Sequence, residues 1–122
     1  MAVVLLSGDL MSASRIEGAA RLAGANYRQV SSVDAAVEAC TAHRATLVLV
    51  DLTTRGLDVA SLVARTRALA DEAKPTIIAY GPHVHEAVLA AAEAAGCDQV
   101  LSRGQFMSRV DALIAAHPGR AQ

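Results

Sequence analysis

The chain has 122 residues and a net charge of −1, and 53 % of its residues are hydrophobic although only 2 % are aromatic. This length predicts one domain over residues 1–118 with a frayed tail at 119–122, and the near-neutral charge argues against nucleic-acid binding. No apolar run is long enough to cross a membrane. The first apolar run follows no basic segment, so it predicts a strand rather than a signal peptide, and with it a cytoplasmic protein.

Strand-forming and helix-forming segments alternate along the whole chain. Ser12 is expected to cap the first helix, and Gly96 is expected to end the fourth. The predicted elements, in chain order, are strand 2–7, helix 12–24, strand 27–31, helix 32–43, strand 45–51, helix 58–73, strand 76–80, helix 83–95, strand 98–102 and helix 105–117.

This alternation predicts βαβ units and therefore a parallel sheet. The first, third and fourth strands are almost continuously apolar, which is typical of strands that helices cover on both faces. The second strand is more polar, as expected near a sheet edge. The predicted fold class is α/β: a doubly wound, five-stranded parallel sheet in the order 2-1-3-4-5, as in a flavodoxin-like three-layer sandwich.

Two acidic residues come at the ends of two central strands. Asp51 follows the apolar run 45–50, and Asp9 follows the run 3–6 after two small residues. In open α/β sheets ligands bind beyond the carboxyl ends of the strands, and carboxylates are ligands that Mg²⁺ accepts. The pair therefore predicts a cation and phosphate site. The sequence leaves alternatives open for both residues: Asp51 could be a helix-loop cap or a solvated loop acid, and Asp9 could cap the first helix.

Several residues together resemble the receiver domain of bacterial two-component response regulators, over about residues 2–115. They are Asp9, Asp51, Arg103 and the turn at 94–98 (Ala-Ala-Gly-Cys-Asp). The resemblance implies that Asp51 accepts a phosphoryl group from a histidine kinase or phosphotransfer protein. It also implies that Asp9, Asp51 and the carbonyl of Thr53 hold Mg²⁺. Arg103 stands where the family has a lysine that meets the phosphate, and without phosphate it is expected to be the counter-ion of Asp51.

The chain departs from the pattern of that family at several positions. Gly8 replaces the first of two acids, so a ligand is missing and Mg²⁺ affinity should fall. The hydroxyl-bearing residue at the end of the fourth strand falls on Tyr80 or Gly81. The proline after the lysine is Gly104, and the aromatic residue of the fifth strand is Val100. Loss of the hydroxyl on the fourth strand and of the aromatic residue on the fifth removes the parts that couple phosphorylation to a surface change in the family.

These observations predict a stand-alone signal-transduction domain, not an enzyme, that is phosphorylated on Asp51 and signals through protein–protein contacts. The alternative is a pseudo-receiver that binds proteins without being phosphorylated. Expected partners are a histidine kinase or phosphotransfer protein and a downstream protein, with neither nucleic acid nor membrane. A homodimer would form through the face of helix 4, strand 5 and helix 5. A flavin or cobalamin carrier is disfavoured, since aromatic residues are few and no Asp-x-His-x-x-Gly motif occurs.

Overall fold

The computed structural model describes residues 2–69 and 74–116. Within these ranges five strands alternate with five helices, as the sequence predicts. In chain order they are β1 (Ala2–Leu6), α1 (Leu10–Leu22), β2 (Asn26–Val30), α2 (Val33–His43), β3 (Leu47–Asp51), α3 (Val59–Arg67), β4 (Thr76–Gly81), α4 (Glu86–Ala95), β5 (Gln99–Ser102) and α5 (Arg103–Ala115).

The strands form one parallel sheet in the order β2-β1-β3-β4-β5, which confirms the predicted α/β fold class and strand order. Every residue of β1 and β3 is buried, because helices cover both faces of the sheet. One apolar cluster joins the sheet to α2, α3 and α4, and the other joins it to α1 and α5. Alanines on the helices let them approach the sheet closely.

The structure corrects the predicted starts of three helices. α1 begins at Leu10 because Asp9, and not Ser12, is its N-cap: the Asp9 carboxylate accepts a hydrogen bond from the backbone N–H of Met11. α4 begins at Glu86 rather than at residue 83. α5 begins two residues earlier than predicted, since Ser102 and residue 105 form a capping box.

Parts of some predictions fall outside the described residues. They are residues 70–73 of the predicted third helix, residue 117 of the predicted last helix, the end of the domain at 118 and the tail at 119–122. None of the described helices is long and apolar enough to span a bilayer.

A polar latch closes the amino-terminal edge of the sheet. The Asp98 carboxylate accepts hydrogen bonds from the backbone N–H of Ile77 (2.7 Å) and from the Arg67 guanidinium (2.9 Å). Arg67 also donates to the carbonyls of Pro75 and Gly96, both at 3.2 Å. The latch ties α3 to the starts of β4 and β5, at the edge opposite Asp51.

Candidate functional site

Asp51 is the last residue of β3 and lies at the carboxyl-terminal edge of the sheet, where its side chain is almost wholly buried (the residue is 1 % exposed). One carboxylate oxygen, Oδ2, accepts a hydrogen bond from the Ser7 hydroxyl at 2.8 Å. The other, Oδ1, accepts from the Thr53 backbone N–H at 3.0 Å and from its hydroxyl at 2.6 Å. Protein donors therefore engage both oxygens of this carboxylate.

Ser7 connects the ends of β1 and β3. Leu6 pairs with Val50 in the sheet, so the next residues along the two strands, Ser7 and Asp51, lie side by side. The Ser7 hydroxyl donates to Asp51 and accepts a hydrogen bond from the Asp9 backbone N–H at 3.0 Å. The sequence analysis did not identify Ser7, because serine is uncharged and is not a typical metal ligand. Its position directly after β1 was the available signal.

The Asp9 side chain is turned toward the start of α1. Its Oδ1 accepts from the Met11 N–H at 3.0 Å, and its Oδ2 accepts from the Ser12 hydroxyl at 2.7 Å and from the Arg103 guanidinium at 2.9 Å. The hydrogen bond from Ser12, followed by those from Arg103 and Met11, lowers the pKa of Asp9 from 3.8 to about 2. Asp9 therefore remains ionised and paired, as the helix-cap alternative requires.

Arg103 does not have the partner that the sequence suggested. Among the described residues, the carboxylate that its guanidinium contacts is Asp9, not Asp51, and it also donates to the Ser12 hydroxyl. The reason is geometric: Arg103 opens α5, which packs beside α1, so its side chain reaches the start of α1. The structure thus brings Asp9, Asp51 and Arg103 to one edge of the sheet, linked through Ser7 and Ser12.

Tyr80 occupies the position next to Asp51 on β4. The two residues pair in the sheet, and Tyr80 has no exposed surface. Its ring stacks on Phe106 of α5, with ring centroids 4.1 Å apart and planes inclined by 6°. Within the described part of the chain, its hydroxyl has no hydrogen-bond partner. Burial, and to a smaller extent the charge of Asp51, raises the pKa of Tyr80.

The residues at this edge do not fit Mg²⁺ as the sequence suggested. Mg²⁺ requires oxygen ligands in nearly octahedral geometry, whereas protein donors already engage both oxygens of Asp51 and both oxygens of Asp9, with two donors on one oxygen of each carboxylate. Gly8 provides no side chain at all. Magnesium at Asp9, Asp51 and Thr53 accordingly stays a prediction that the donor set does not favour.

A second surface lies along α4. This helix is apolar, but other parts of the described chain leave much of it exposed. Ala92 is buried, whereas Val88 is 41 % exposed and Val84, in the turn before the helix, is 68 % exposed. A groove of about 460 Å³ runs between α4, β5 and the start of α5. Its lining includes Glu86, Leu89, Glu93, Val100, Leu101 and Gln105.

Similarity to known proteins is found by comparing structures and not by comparing sequences. No family model matches the sequence, and no curated protein matches it. The receiver domain of a sensor histidine kinase from Pseudomonas aeruginosa, solved with a magnesium ion coordinated in its active-site cleft, has a TM-score of 0.78 at 19 % identity and covers 95 % of each chain. A response regulator from Hahella chejuensis has a TM-score of 0.81 at 13 % identity, over 99 % of this chain and 98 % of that one.

A two-component response regulator from Clostridium difficile is similar to the same degree, with a TM-score of 0.77 at 14 % identity over 95 % of this chain and 93 % of the other. At identities this low, the structural similarity establishes the fold alone: the chain has the fold of response-regulator receiver domains. The predicted resemblance is confirmed at that level.

Proposed function

We propose that this chain is a signalling module of receiver fold that acts by binding other proteins, and that it does so without metal-dependent phosphorylation of Asp51. The observation that carries the proposal is the state of the Asp51 carboxylate. It is 1 % exposed, and the Ser7 hydroxyl and two donors of Thr53 engage its oxygens. A carboxylate in this state serves to join β1, β3 and the loop after β3.

Phosphoryl transfer makes demands that this arrangement meets poorly. The attacking oxygen needs an open line of approach to phosphorus, and positive groups must neutralise the charge on the transferred oxygens. Access to Asp51 is closed by burial, and the positive charge of Arg103 is already paired with Asp9. Hydrogen bonds to a carboxylate also reduce its nucleophilicity, since they hold its lone pairs.

The proposed partner is a protein that docks on α4, β5 and α5. Support comes from the exposed apolar side chains of Val84 and Val88 and from the groove between α4 and β5. A downstream protein, a histidine kinase or phosphotransfer protein, or a second copy of the chain would each use such a face. No catalytic reaction is part of the proposal, in line with the expectation that the chain is not an enzyme.

Phosphorylation of Asp51, as the sequence resemblance implies, is the competing hypothesis. Magnesium in the cleft of the P. aeruginosa receiver domain belongs to that protein, and it shows what the same fold can accommodate. In this chain the hypothesis would require the hydrogen bonds of Asp51 to open before any reaction.

One experiment separates the two hypotheses. The chain is incubated with acetyl phosphate and millimolar Mg²⁺, beside a receiver domain that is known to react, and intact mass is measured. We expect no added phosphoryl group on the wild type and no change in its melting temperature with Mg²⁺. One phosphoryl group per chain that disappears in Asp51→Asn would refute the proposal and establish the competing hypothesis.

The binding half of the proposal has its own test. Sedimentation velocity of the wild type and of Val88→Glu measures whether a second copy occupies the α4 face. A concentration-dependent dimer that Val88→Glu dissociates identifies the partner as a second copy. A monomer in both cases directs the search to a different protein, and the control Glu38→Gln, on the exposed surface of α2, should behave as the wild type.

A further inference from the structure

Tyr80 and Asp51 occupy neighbouring positions on the same face of the sheet. They are partners in the register of β3 and β4. Tyr80 belongs to the apolar cluster on the α1 and α5 side, as does Leu49, and Asp51 lies two residues after Leu49 and therefore on the same face. Neighbouring residues of paired strands that share a face lie in side-chain contact range. The phenol ring therefore borders the space through which any ligand of the Asp51 carboxylate would have to pass.

The ring is fixed in that place from the other side as well. It lies parallel to the ring of Phe106, 4.1 Å away, and Phe106 is itself fully buried on α5. The start of α5 is held by the capping box at Ser102, so the helix that carries Phe106 is anchored close by. Moving the Tyr80 ring would break this stacking and open the core.

The accessible surface of the Tyr80 hydroxyl shows how tightly protein atoms pack beside Asp51. The Tyr80 hydroxyl has less than 1 Å² of accessible surface and no partner at hydrogen-bond geometry among the described residues, although the Ser7 and Ser12 hydroxyls are close enough to lower its pKa slightly against the larger effect of burial. A hydroxyl in contact with solvent would find a water molecule. The region around the tip, beside Asp51, is thus filled by protein atoms.

We infer that Tyr80 is the specificity-determining residue of this edge: its ring fills the crevice beside Asp51 and excludes oxyanions and phosphoryl donors. This inference rests on the proposed function, because it names the side chain that closes the space beside Asp51 and so keeps donors away from the carboxylate. It assigns the cause to the ring and not to the hydroxyl. A small side chain at position 80 would leave room for a tetrahedral oxyanion next to the carboxylate.

A second, independent defect is the missing acid at Gly8. A Cβ placed on Gly8 would meet no atom within 4 Å apart from its chain neighbours, so the start of a side chain is tolerated at this position. Gly8→Asp would add an oxygen ligand for Mg²⁺ beside Asp51. Restoring the metal ligand and removing the ring can therefore be done separately, and their effects can be distinguished.

The experiment compares the wild type, Gly8→Asp, Tyr80→Thr and the double variant Gly8→Asp/Tyr80→Thr, each with acetyl phosphate and Mg²⁺. In the reaction, a bond forms between an Asp51 carboxylate oxygen and phosphorus while the bond from phosphorus to the acetate oxygen breaks. Acetate leaves with the electron pair, and no oxidation or reduction occurs. The measured quantity is the rate at which intact protein gains one phosphoryl group, with circular dichroism as the check of folding.

We expect Gly8→Asp to remain as unreactive as the wild type. The double variant should gain its phosphoryl group at least about tenfold faster than Gly8→Asp does. The matched control is Gly8→Asp/Tyr80→Phe, which keeps the ring, loses the hydroxyl and should stay unreactive. Should Tyr80→Thr fail to fold, Tyr80→Val opens the same space with a side chain suited to a buried strand.

The outcomes are distinguishable from those of the proposed function. Phosphorylation of Gly8→Asp, which keeps the ring, overturns the inference, because the ring would then be no barrier, and this result does not depend on any Tyr80 variant folding. A folded double variant that stays unreactive overturns it too. Reaction of the wild type overturns the proposed function itself.

Discussion

The unpartnered hydroxyl of Tyr80 leads to a prediction of unusual sign: Tyr80→Phe should stabilise the protein. The substitution removes one oxygen and keeps the ring, so the stacking on Phe106 at 4.1 Å is retained. Most core substitutions destabilise, and a stabilising one would be informative. The chain contains a matched control, because its only other tyrosine is Tyr27, whose hydroxyl donates to the carbonyl of Ala13 at 3.3 Å.

The magnitude follows from the cost of a buried polar group. Leaving a buried hydroxyl without a partner costs about 1–3 kcal/mol, and loss of the contacts of one oxygen atom offsets part of the gain. We expect Tyr80→Phe to raise the free energy of unfolding by about 1 kcal/mol. For a domain of 122 residues, an unfolding entropy of about 2 cal/mol/K per residue converts this into a rise in melting temperature of about 4 °C.

Urea denaturation and scanning calorimetry of the wild type, Tyr80→Phe and Tyr27→Phe provide the measurement. Tyr27→Phe loses a hydrogen bond and should lower the free energy of unfolding by about 0.5–1.5 kcal/mol. Opposite signs for the two variants support the structural reasoning. A loss of stability in Tyr80→Phe as large as that in Tyr27→Phe would refute it, since the Tyr80 hydroxyl would then have a partner, such as a buried water molecule.

Three further predictions concern the backbone, the latch and acid stability. Arg44 has a φ of 50° at the end of α2, so Arg44→Gly should relieve left-handed strain and raise the free energy of unfolding by about 0.5–1 kcal/mol in urea denaturation. Asp98→Ala should lower the free energy of unfolding by roughly 1–2 kcal/mol, because the Ile77 N–H loses its acceptor while the half-exposed ion pair of the latch contributes little. An effect below measurement error would show that the latch does not stabilise the fold. Hydrogen bonds, of which the one from Ser12 has the largest effect, lower the pKa of Asp9 from 3.8 to about 2 in the folded state. The contribution of Asp9 to the free energy of unfolding is therefore complete above pH 4 and should be lost as the pH falls toward 2. Asp9→Asn should abolish that part of the acid dependence in pH-resolved thermal melts, and an unchanged profile would contradict the assignment.

The fold could be predicted from the sequence because its signals are local and repeated. Continuous apolar runs at β1 and β3 identify central strands, and their alternation with helices restricts the topology to a few alternatives. The helix starts were less accurate for a physical reason. Asp9 and Ser12 are both good caps, and which one caps α1 depends on the direction in which the chain leaves β1.

The site was predicted in its location but not in its pairing. Asp9, Asp51 and Arg103 were expected at one edge, and they lie there. Their partners depend on side-chain geometry across β1, β3, α1 and α5, which no single segment encodes: Arg103 reaches Asp9, and Asp51 is engaged by hydroxyls. The position of Ser7 directly after β1 was the one signal for its contact with Asp51, and it is easily missed because a search for charged residues favours carboxylates over hydroxyls.

The stacked pair of Tyr80 and Phe106 also gives the protein an internal optical reporter. The chain has no tryptophan, two tyrosines and a single phenylalanine, so its near-ultraviolet spectrum comes from very few rings. A tyrosine held rigidly between β4 and α5 should dominate the circular dichroism in that region, while the half-buried Tyr27 adds less. Any partner that shifts α5 against the sheet would then alter this signal, and its binding could be followed without attaching a label.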